Sequence, residues 1–567
     1  MKKYLKIIAI LLWFILLKNT DSYYLPYVLI GLLGSFSLLQ KRYVPGTIEK
    51  IFTGLYSVMI YLANYSLFWN NHLTNPSNSI NIVFGLGKSV IYFYASYLLI
   101  SNILSYLYEL LDKRKVKKEK EEDVSSQKLF FHSLIILTVL DLFFLIFAKY
   151  PGNISPDSIN QIEQIKSGVF TNHHPYFHTI LIQFFLNITR NINRGLFLYN
   201  VFQMVFVNAC ISYAIKTLYE FKISPKIRKW VFAWYLCMPF NIMFSFTVWK
   251  DMIFAGSLLL LITTLYKIIK QREKLTDYFL FAYSSIFVCI LRNNGLIAYA
   301  LGIILFIYIY RKGLLKVSLI GISMLLSSFL VVYSLLPTLG IEKSNPVESL
   351  SVPINQVSRV IVDSKLTEQE EKQISMLVDI DKVKESYLPY ISDPVKNLMR
   401  EKDNIKYLEN HKKEYLKLYI KLMIKHPKEY IAAYIDLTKG YYNSGYQYWV
   451  WYGDVYDNNY DINRIVRIPA TSFALSGYCF LFENISILQL FISIGVYVWL
   501  GMFLLFYNIK KKQNEELVLL FIPFGVLITL LIATPVFSEF RYAYPYILTL
   551  PFILSVSFHK EKPTRIK

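Results

Sequence analysis

Apolar runs close to bilayer length recur from one end of this chain to the other, and that recurrence limits what it can fold into. A helix crossing the hydrocarbon core needs about 20 mainly apolar residues, because no water is present there to satisfy unpaired backbone groups. Hydrophobic residues make up 54% of 567 residues, with a mean hydropathy of +0.37. The chain therefore reads as an all-α polytopic membrane protein, which excludes a soluble enzyme held by a single anchor. The first run, Tyr4 to Leu17, resembles a signal-peptide core, but no small-residue cleavage site follows and a second run begins at Tyr23. It reads as a retained helix.

A net charge of +21 would suggest nucleic acid in a soluble chain. Here Lys and Arg cluster in short links between apolar runs, at Lys2/Lys3, Lys41/Arg42, Lys113 to Lys120, Lys222 to Lys229, Lys267 to Lys274, Arg311 to Lys316, Lys510 to Lys512 and Lys560 to Lys567. That is a topology signal, placing those links in the cytoplasm, and no nucleic-acid partner is expected. Cys210, Cys237, Cys289 and Cys479 lie in apolar surroundings without C-x-x-C spacing, so neither a disulfide framework nor a zinc site is indicated.

Spans laid between the basic links number about fourteen, giving a multi-pass protein of the cell membrane with both termini cytoplasmic. The expected divisions are a four-helix region over 1–112, a charged cytoplasmic linker over 113–128, a transmembrane core over 129–336 with its first external loop at 149–194, an external and mainly helical loop domain over 337–480, and C-terminal spans over 481–567. The stretch Tyr176 to Ile188 is too short to cross and is expected to lie along the external surface, one apolar face at the headgroup boundary. Asn404 to Lys425 carries apolar residues at helical spacing, and Pro427 suits a first helical turn. No internal repeat is evident.

The first external loop holds the densest polar pattern, PGNISPDSIN followed by Gly168 and then NHHPYFH. Ser155-Pro156-Asp157 reads as a helix start, with Ser as N-cap, Pro at the first helical position and Asp complementing the dipole. That alone would explain Asp157. The functional reading is a general base, a carboxylate on a rigid mount just above the membrane. His173, His174 and His178 gather nearby, in a chain with 8 His in all. They are candidate substrate contacts; a divalent metal stays open as a cofactor, without an H-E-x-x-H to specify it.

Three further clusters fall on the same external face in this topology: Trp249-Lys250-Asp251, Arg292-Asn293-Asn294-Gly295 and Ser538-Glu539-Phe540-Arg541-Tyr542. Any one of them could simply anchor a span by snorkelling. Together they suggest an anion site, with Arg292, Arg541 and Lys250 as phosphate ligands and Asn293 and Glu539 as substrate contacts. Lys88 and Asp141 lie within spans and should face protein or water.

This arrangement resembles the GT-C superfamily of integral-membrane glycosyltransferases, which includes protein O-mannosyltransferases and lipid A aminoarabinose transferases. There an acidic residue in the first large external loop is followed by surface helices, and a second acidic residue lies in a later loop. Asp157 and Asp251 match those positions, and PGNISPDS, HHPYFH, WKD, RNNG and SEFRYAYP are similar to a subfamily of large bacterial membrane proteins. The resemblance covers roughly Leu129 to the C-terminus. It implies inverting transfer of a sugar from a polyprenyl-phosphate donor to a cell-envelope glycan or protein acceptor at the outer face of the membrane. Asp157 would be the catalytic base, Asp251 an auxiliary acid, Arg292 and Arg541 donor-phosphate ligands. The chain departs from many relatives in carrying a lone Asp where they have a paired acid, and His-His-Pro before the surface helix. The competing readings are a lipid-linked glycan polymerase or ligase, and a non-enzymatic lipid or glycan transporter.

Overall fold

The computed structural model describes residues 11–14, 25–38, 46–65, 79–113, 125–310, 314–400, 402–445 and 448–559. Most of the first expected span, most of the charged linker, and the terminal basic clusters on which the cytoplasmic placement of both ends rests lie outside these residues. The described residues are 79% helical and form no strand; among them six isolated β-bridges connect loops.

Among the described residues six helices are long and apolar enough to cross a membrane: Gly85–Leu111, Ser126–Phe147, Ile192–Glu220, Lys250–Ile269, Leu315–Thr338 and Asn514–Ala533. A bent pair, Pro469–Asn484 with Ser486–Ile492, would make a seventh. The described residues do not confirm the expected fourteen: several apolar runs are broken and others form shorter helices. Trp230 to Thr247 forms two helices, Pro225–Cys237 and Pro239–Ser245, divided at a proline that cannot donate to the helix ladder. The apolar run Ile485 to Tyr507 starts inside the bent pair, which turns by 87°, and continues in the separate helix Ile494–Lys511. The preceding Pro469–Asn484 helix straddles the expected domain boundary at 480. Leu275–Ile290 and Gly295–Tyr310 are shorter apolar helices.

Burial orders these helices into layers. Lys250–Ile269 is buried throughout its most apolar window, enclosed by Ile192–Glu220, Leu275–Ile290 and Phe540–Ser557. Ser126–Phe147 and Leu315–Thr338 bury only 22% and 17% of theirs. Their outward faces, with Ile135, Val139, Leu319 and Leu326 exposed, suit lipid, where apolar surface carries no hydration penalty. At the N-terminal side Trp13, Phe52, Tyr56, Tyr92 and Tyr108 build an aromatic cluster against Phe503, Phe506 and Tyr507.

Residues 346–438 form a helical unit with its own core, including Val347, Ile354, Val360, Ile374, Val383, Val395 and Leu422. The helical stretch expected near Asn404 is two helices, Lys402–Asn410 and Lys412–Lys425, and Pro427 opens the next, Pro427–Thr438. This unit joins the rest through backbone bonds: Ser392 N–H donates to Pro535 O at 2.9 Å and Phe537 N–H to Tyr390 O at 3.0 Å.

Candidate functional site

The helix Pro156–Ser167 begins as its sequence dictates. Ser155 is the N-cap, Pro156 takes the first turn, and Gly168 ends the helix in the left-handed region at φ 72°. The Ser155 N–H, otherwise an orphan donor, reaches the Ser158 hydroxyl at 3.2 Å. Asp157 thus stands at the positive end of a helix dipole, on a mount fixed by its own chain.

That mount is tied to two distant loops. Asn153 N–H donates to Phe246 O at 2.8 Å, Val248 N–H returns to Asn153 O at 3.0 Å, and Ile154 N–H reaches Asp454 O at 3.0 Å. The crossing is tight: Gly152 adopts φ 136°, and a Cβ there would lie 2.0 Å from the Asn200 amide, so only glycine fits. Side chains repeat the lacing, with Ser158 Oγ donating to Val248 O at 2.7 Å and Trp249 Nε1 to Ser155 Oγ at 2.7 Å. The PGNISPD, WKD and aromatic 448–456 segments thereby become one surface.

On that surface lies a cavity of about 330 Å³ lined by Asp157, His173, His174, Trp249, Lys250, Glu539, Arg541 and Tyr542. Six of the ten residues expected to form the site therefore meet. Arg541 Nη1 donates to Asp157 Oδ2 at 2.8 Å, its Nε faces the Glu539 carboxylate, and its guanidinium stacks 4.8 Å from the Trp249 ring and 4.9 Å from that of Tyr542. Two carboxylates share one cation clamped between two aromatic faces.

The two acids are driven apart. Burial raises the Asp157 carboxyl, but the Arg541 guanidinium, with Lys250 adding to it, outweighs that and holds it well below the usual carboxylate range. Its side chain keeps 32% exposure to the cavity. Glu539 is buried, which raises its carboxyl; Asp157 and Asp251 add to that and Arg541 only partly offsets it. Lys250 Nζ donates to His174 Nδ1 at 3.1 Å, and burial followed by the Lys250 charge pushes the His174 imidazole well below its ordinary value. His174 is thus a neutral acceptor for an ammonium that, among the described residues, has no carboxylate within ion-pair distance.

Four expected site residues stand elsewhere. Asp251 and Arg292 do not line the cavity; they form a buried pair behind it, Arg292 Nε to Asp251 Oδ1 at 3.3 Å, without hydrogen-bond geometry at the carboxylate. Arg292 also donates to Tyr542 O at 3.0 Å and stacks 5.1 Å from its ring. Its fork is spent on the wall that carries Tyr542. Asn293 is exposed and donates to Asn172 O at 3.3 Å, tethering the histidine segment.

His178 is fully buried, with Nε2 2.7 Å from Tyr199 Oη and Nδ1 2.9 Å from Gln161 Nε2. Tyr199 O–H donates to Gln203 Oε1 at 2.9 Å, so its oxygen must accept from His178, which assigns the Nε2–H tautomer. Gln203 Nε2 then donates to the carbonyls of Phe244, Ser245 and Thr247 at 3.2, 3.1 and 2.8 Å. This relay fastens the helix Tyr176–Thr189 to the turn before Trp249. Among the described residues no group of three His, Cys, Asp or Glu is placed to hold a metal ion.

Sequence reasoning missed the opposite wall, where Glu348, Asp393, Lys396 and Arg400 of the 346–438 unit line the same cavity. Lys396 Nζ lies 2.8 Å from Glu348 Oε2 and 2.9 Å from Asp393 Oδ1, and Arg400 Nη2 lies 2.9 Å from Glu348 Oε1. Asp393, Lys396 and Arg400 follow at helical spacing, a legible face whose target only packing reveals.

The helical fold, the long apolar helices and the charged cavity define a membrane protein that carries a polar site. The chain belongs to a family of unknown function (DUF6020), whose match spans residues 164–567. No curated protein and no solved structure matches it.

Proposed function

We propose that this protein is a membrane glycosyltransferase of the GT-C type, moving a sugar from a polyprenyl-phosphate donor to a cell-envelope acceptor at the outer face of the cytoplasmic membrane. The observation that carries the reading is the meeting of Asp157, Arg541, Glu539, Lys250 and His174 in one cavity, drawn from three segments of which the last lies nearly 300 residues beyond the second.

Transfer requires that an acceptor hydroxyl lose its proton as its oxygen bonds to the anomeric carbon, while the carbon–oxygen bond to phosphate breaks and polyprenyl phosphate leaves. Lys250 and Arg541 offer fixed positive charge to the leaving phosphate. Asp157 takes the acceptor proton. While Arg541 holds it, Asp157 is a weak base; a donor phosphate that draws the guanidinium toward itself raises the basicity of Asp157 when an acceptor is needed. Glu539, already raised, is the second proton carrier. Arg292 and Asp251 position Tyr542 and the start of the Lys250 helix from behind.

The full-length protein in liposomes, supplied with polyprenyl-phosphate sugars, should release polyprenyl phosphate. Asp157→Asn, which keeps an amide oxygen for Arg541 to donate to, should insert and fold with a lowered melting temperature, since an ion pair is lost, yet lose at least ~100-fold in rate, the range of general-base catalysis. Full activity in that variant sinks the base assignment, and an unchanged cell-envelope glycan profile without the protein sinks the transfer reading.

A further inference from the structure

The helical unit at 346–438 contains a second cavity, about 460 Å³ in volume, walled by Leu350, Ile354, Val357, Val395, Met399 and Leu418 among others. Its volume falls within the range of small-molecule sites, roughly 300–1,000 Å³. Its lining is nearly all apolar, and such a space stays dry unless an apolar group enters.

Two short elements separate it from the polar site. From Pro346–Leu350, Pro346, Ser349 and Leu350 face the apolar cavity while Glu348 faces the polar one. From Asp393–Met399, Val395 and Met399 face the apolar side, and Asp393 and Lys396 the polar side.

At the rim stand Lys412, Glu409 and Leu416. The helix Lys412–Lys425 that carries two of them holds five lysines against one glutamate, KKEYLKLYIKLMIK. Leu416, Ile420, Met423 and Ile424 on it are exposed. Lys421 and Lys425 are spent on Glu370, at 3.1 and 2.9 Å, and Lys412 lies 3.9 Å from Glu409. Exposed apolar side chains interleaved with lysines suit the interface of an anionic bilayer, and the unit begins just after a candidate span, Leu315–Thr338.

The geometry points to a lipid site: the 346–438 unit takes one acyl chain of an anionic membrane phospholipid into the apolar cavity, with the headgroup at the lysine-bearing rim. The chain would brace Pro346–Leu350 and Asp393–Met399 from behind, and so set where Glu348, Lys396 and Arg400 stand in the polar site. This holds whether or not the polar site transfers sugars.

The test is photolabelling of the full-length protein in nanodiscs with a phosphatidylglycerol carrying a diazirine near one acyl terminus, followed by peptide mapping. Label is expected within 346–419 as well as in the spans. Val357→Trp, which fills the cavity, should cut the 346–419 label at least fivefold and leave span labelling unchanged. Lys412→Glu with Lys417→Glu, both on the surface, should lower it several-fold, as should the same diazirine on phosphatidylcholine. Label confined to the spans, label indifferent to Val357→Trp, or equal label from both headgroups overturns the proposal.

Discussion

Arg541 Nη1 donates to Asp157 Oδ2 at 2.8 Å across 384 residues of chain. The same guanidinium serves Glu539 and is held between Trp249 and Tyr542. One side chain thus reads the first loop, the loop before Lys250–Ile269 and the last helix together.

Removing it should therefore cost more than catalysis. Arg541→Ala leaves the buried Glu539 carboxylate without its cation, and breaking a buried pair by deleting one partner costs about 3–5 kcal/mol. Arg541→Lys keeps the charge but not the fork, so it should recover part of the stability and little of any donor affinity. Thermal unfolding in detergent decides this; a loss under about 1 kcal/mol for the alanine variant would show that the pair contributes as little as a surface one.

Lys250 and Arg292 should separate cleanly. Among the described residues the Lys250 side chain makes one hydrogen bond, to His174, so Lys250→Gln should leave folding near wild type while weakening donor binding at least ~10-fold, about 1.4 kcal/mol. Arg292 is buried between Asp251 and Tyr542, so Arg292→Ala should lower stability by about 3 kcal/mol or more. Donor titration and melting on both variants test the contrast, and the reverse pattern would return Arg292 to the phosphate.

His178 sets a pH dependence. Burial pushes its imidazole down from 6.5 to about 3, so between those values the unfolded chain binds a proton that the folded one refuses. Stability attributable to His178 is whole above pH 6.5 and falls by up to about 1.4 kcal/mol per pH unit on acidification, levelling off near pH 3. His178→Gln has no such proton to take up and should flatten that part of the melting-versus-pH curve. An unchanged slope would locate the acid sensitivity elsewhere.

Gln203 is the keystone of the relay behind the site. Gln203→Leu removes a side-chain donor shared by three buried carbonyls; Phe244 O and Thr247 O keep the backbone N–H groups of Thr247 and Trp249, so the Ser245 carbonyl is the one left without a donor, at about 1–3 kcal/mol. The variant should melt well below wild type and expose the 244–247 turn to amide exchange. Wild-type protection there would mean another donor holds the turn.

Much of the local structure was legible. The Ser155-Pro156-Asp157 start and the Gly168 stop are written in residue types, because capping involves groups within a few positions. The membrane class was legible from apolar run length, though not the number of crossings: Pro239 and the bend at Ile485 break runs that hydropathy reads as continuous. Placing the polar clusters on one face brought Asp157, Lys250, Glu539 and Arg541 under suspicion together. It did not foresee that Arg292 and Asp251 pair with each other outside the cavity lining, since a charge beside a helix end looks the same whether it lines a cavity or braces its wall.

By itself, then, the sequence determined the solvent in which the chain folds, where its helices start, and which charges lie outside the apolar runs, all consequences of near-neighbour chemistry and transfer free energy. Only the tertiary structure decided that Arg541 belongs to Asp157, that Arg292 belongs to Asp251, and that Lys396 and Arg400 complete the cavity from the 346–438 unit. Those pairings depend on how separate helices pack, and a charge carries its sign in the sequence but not its partner.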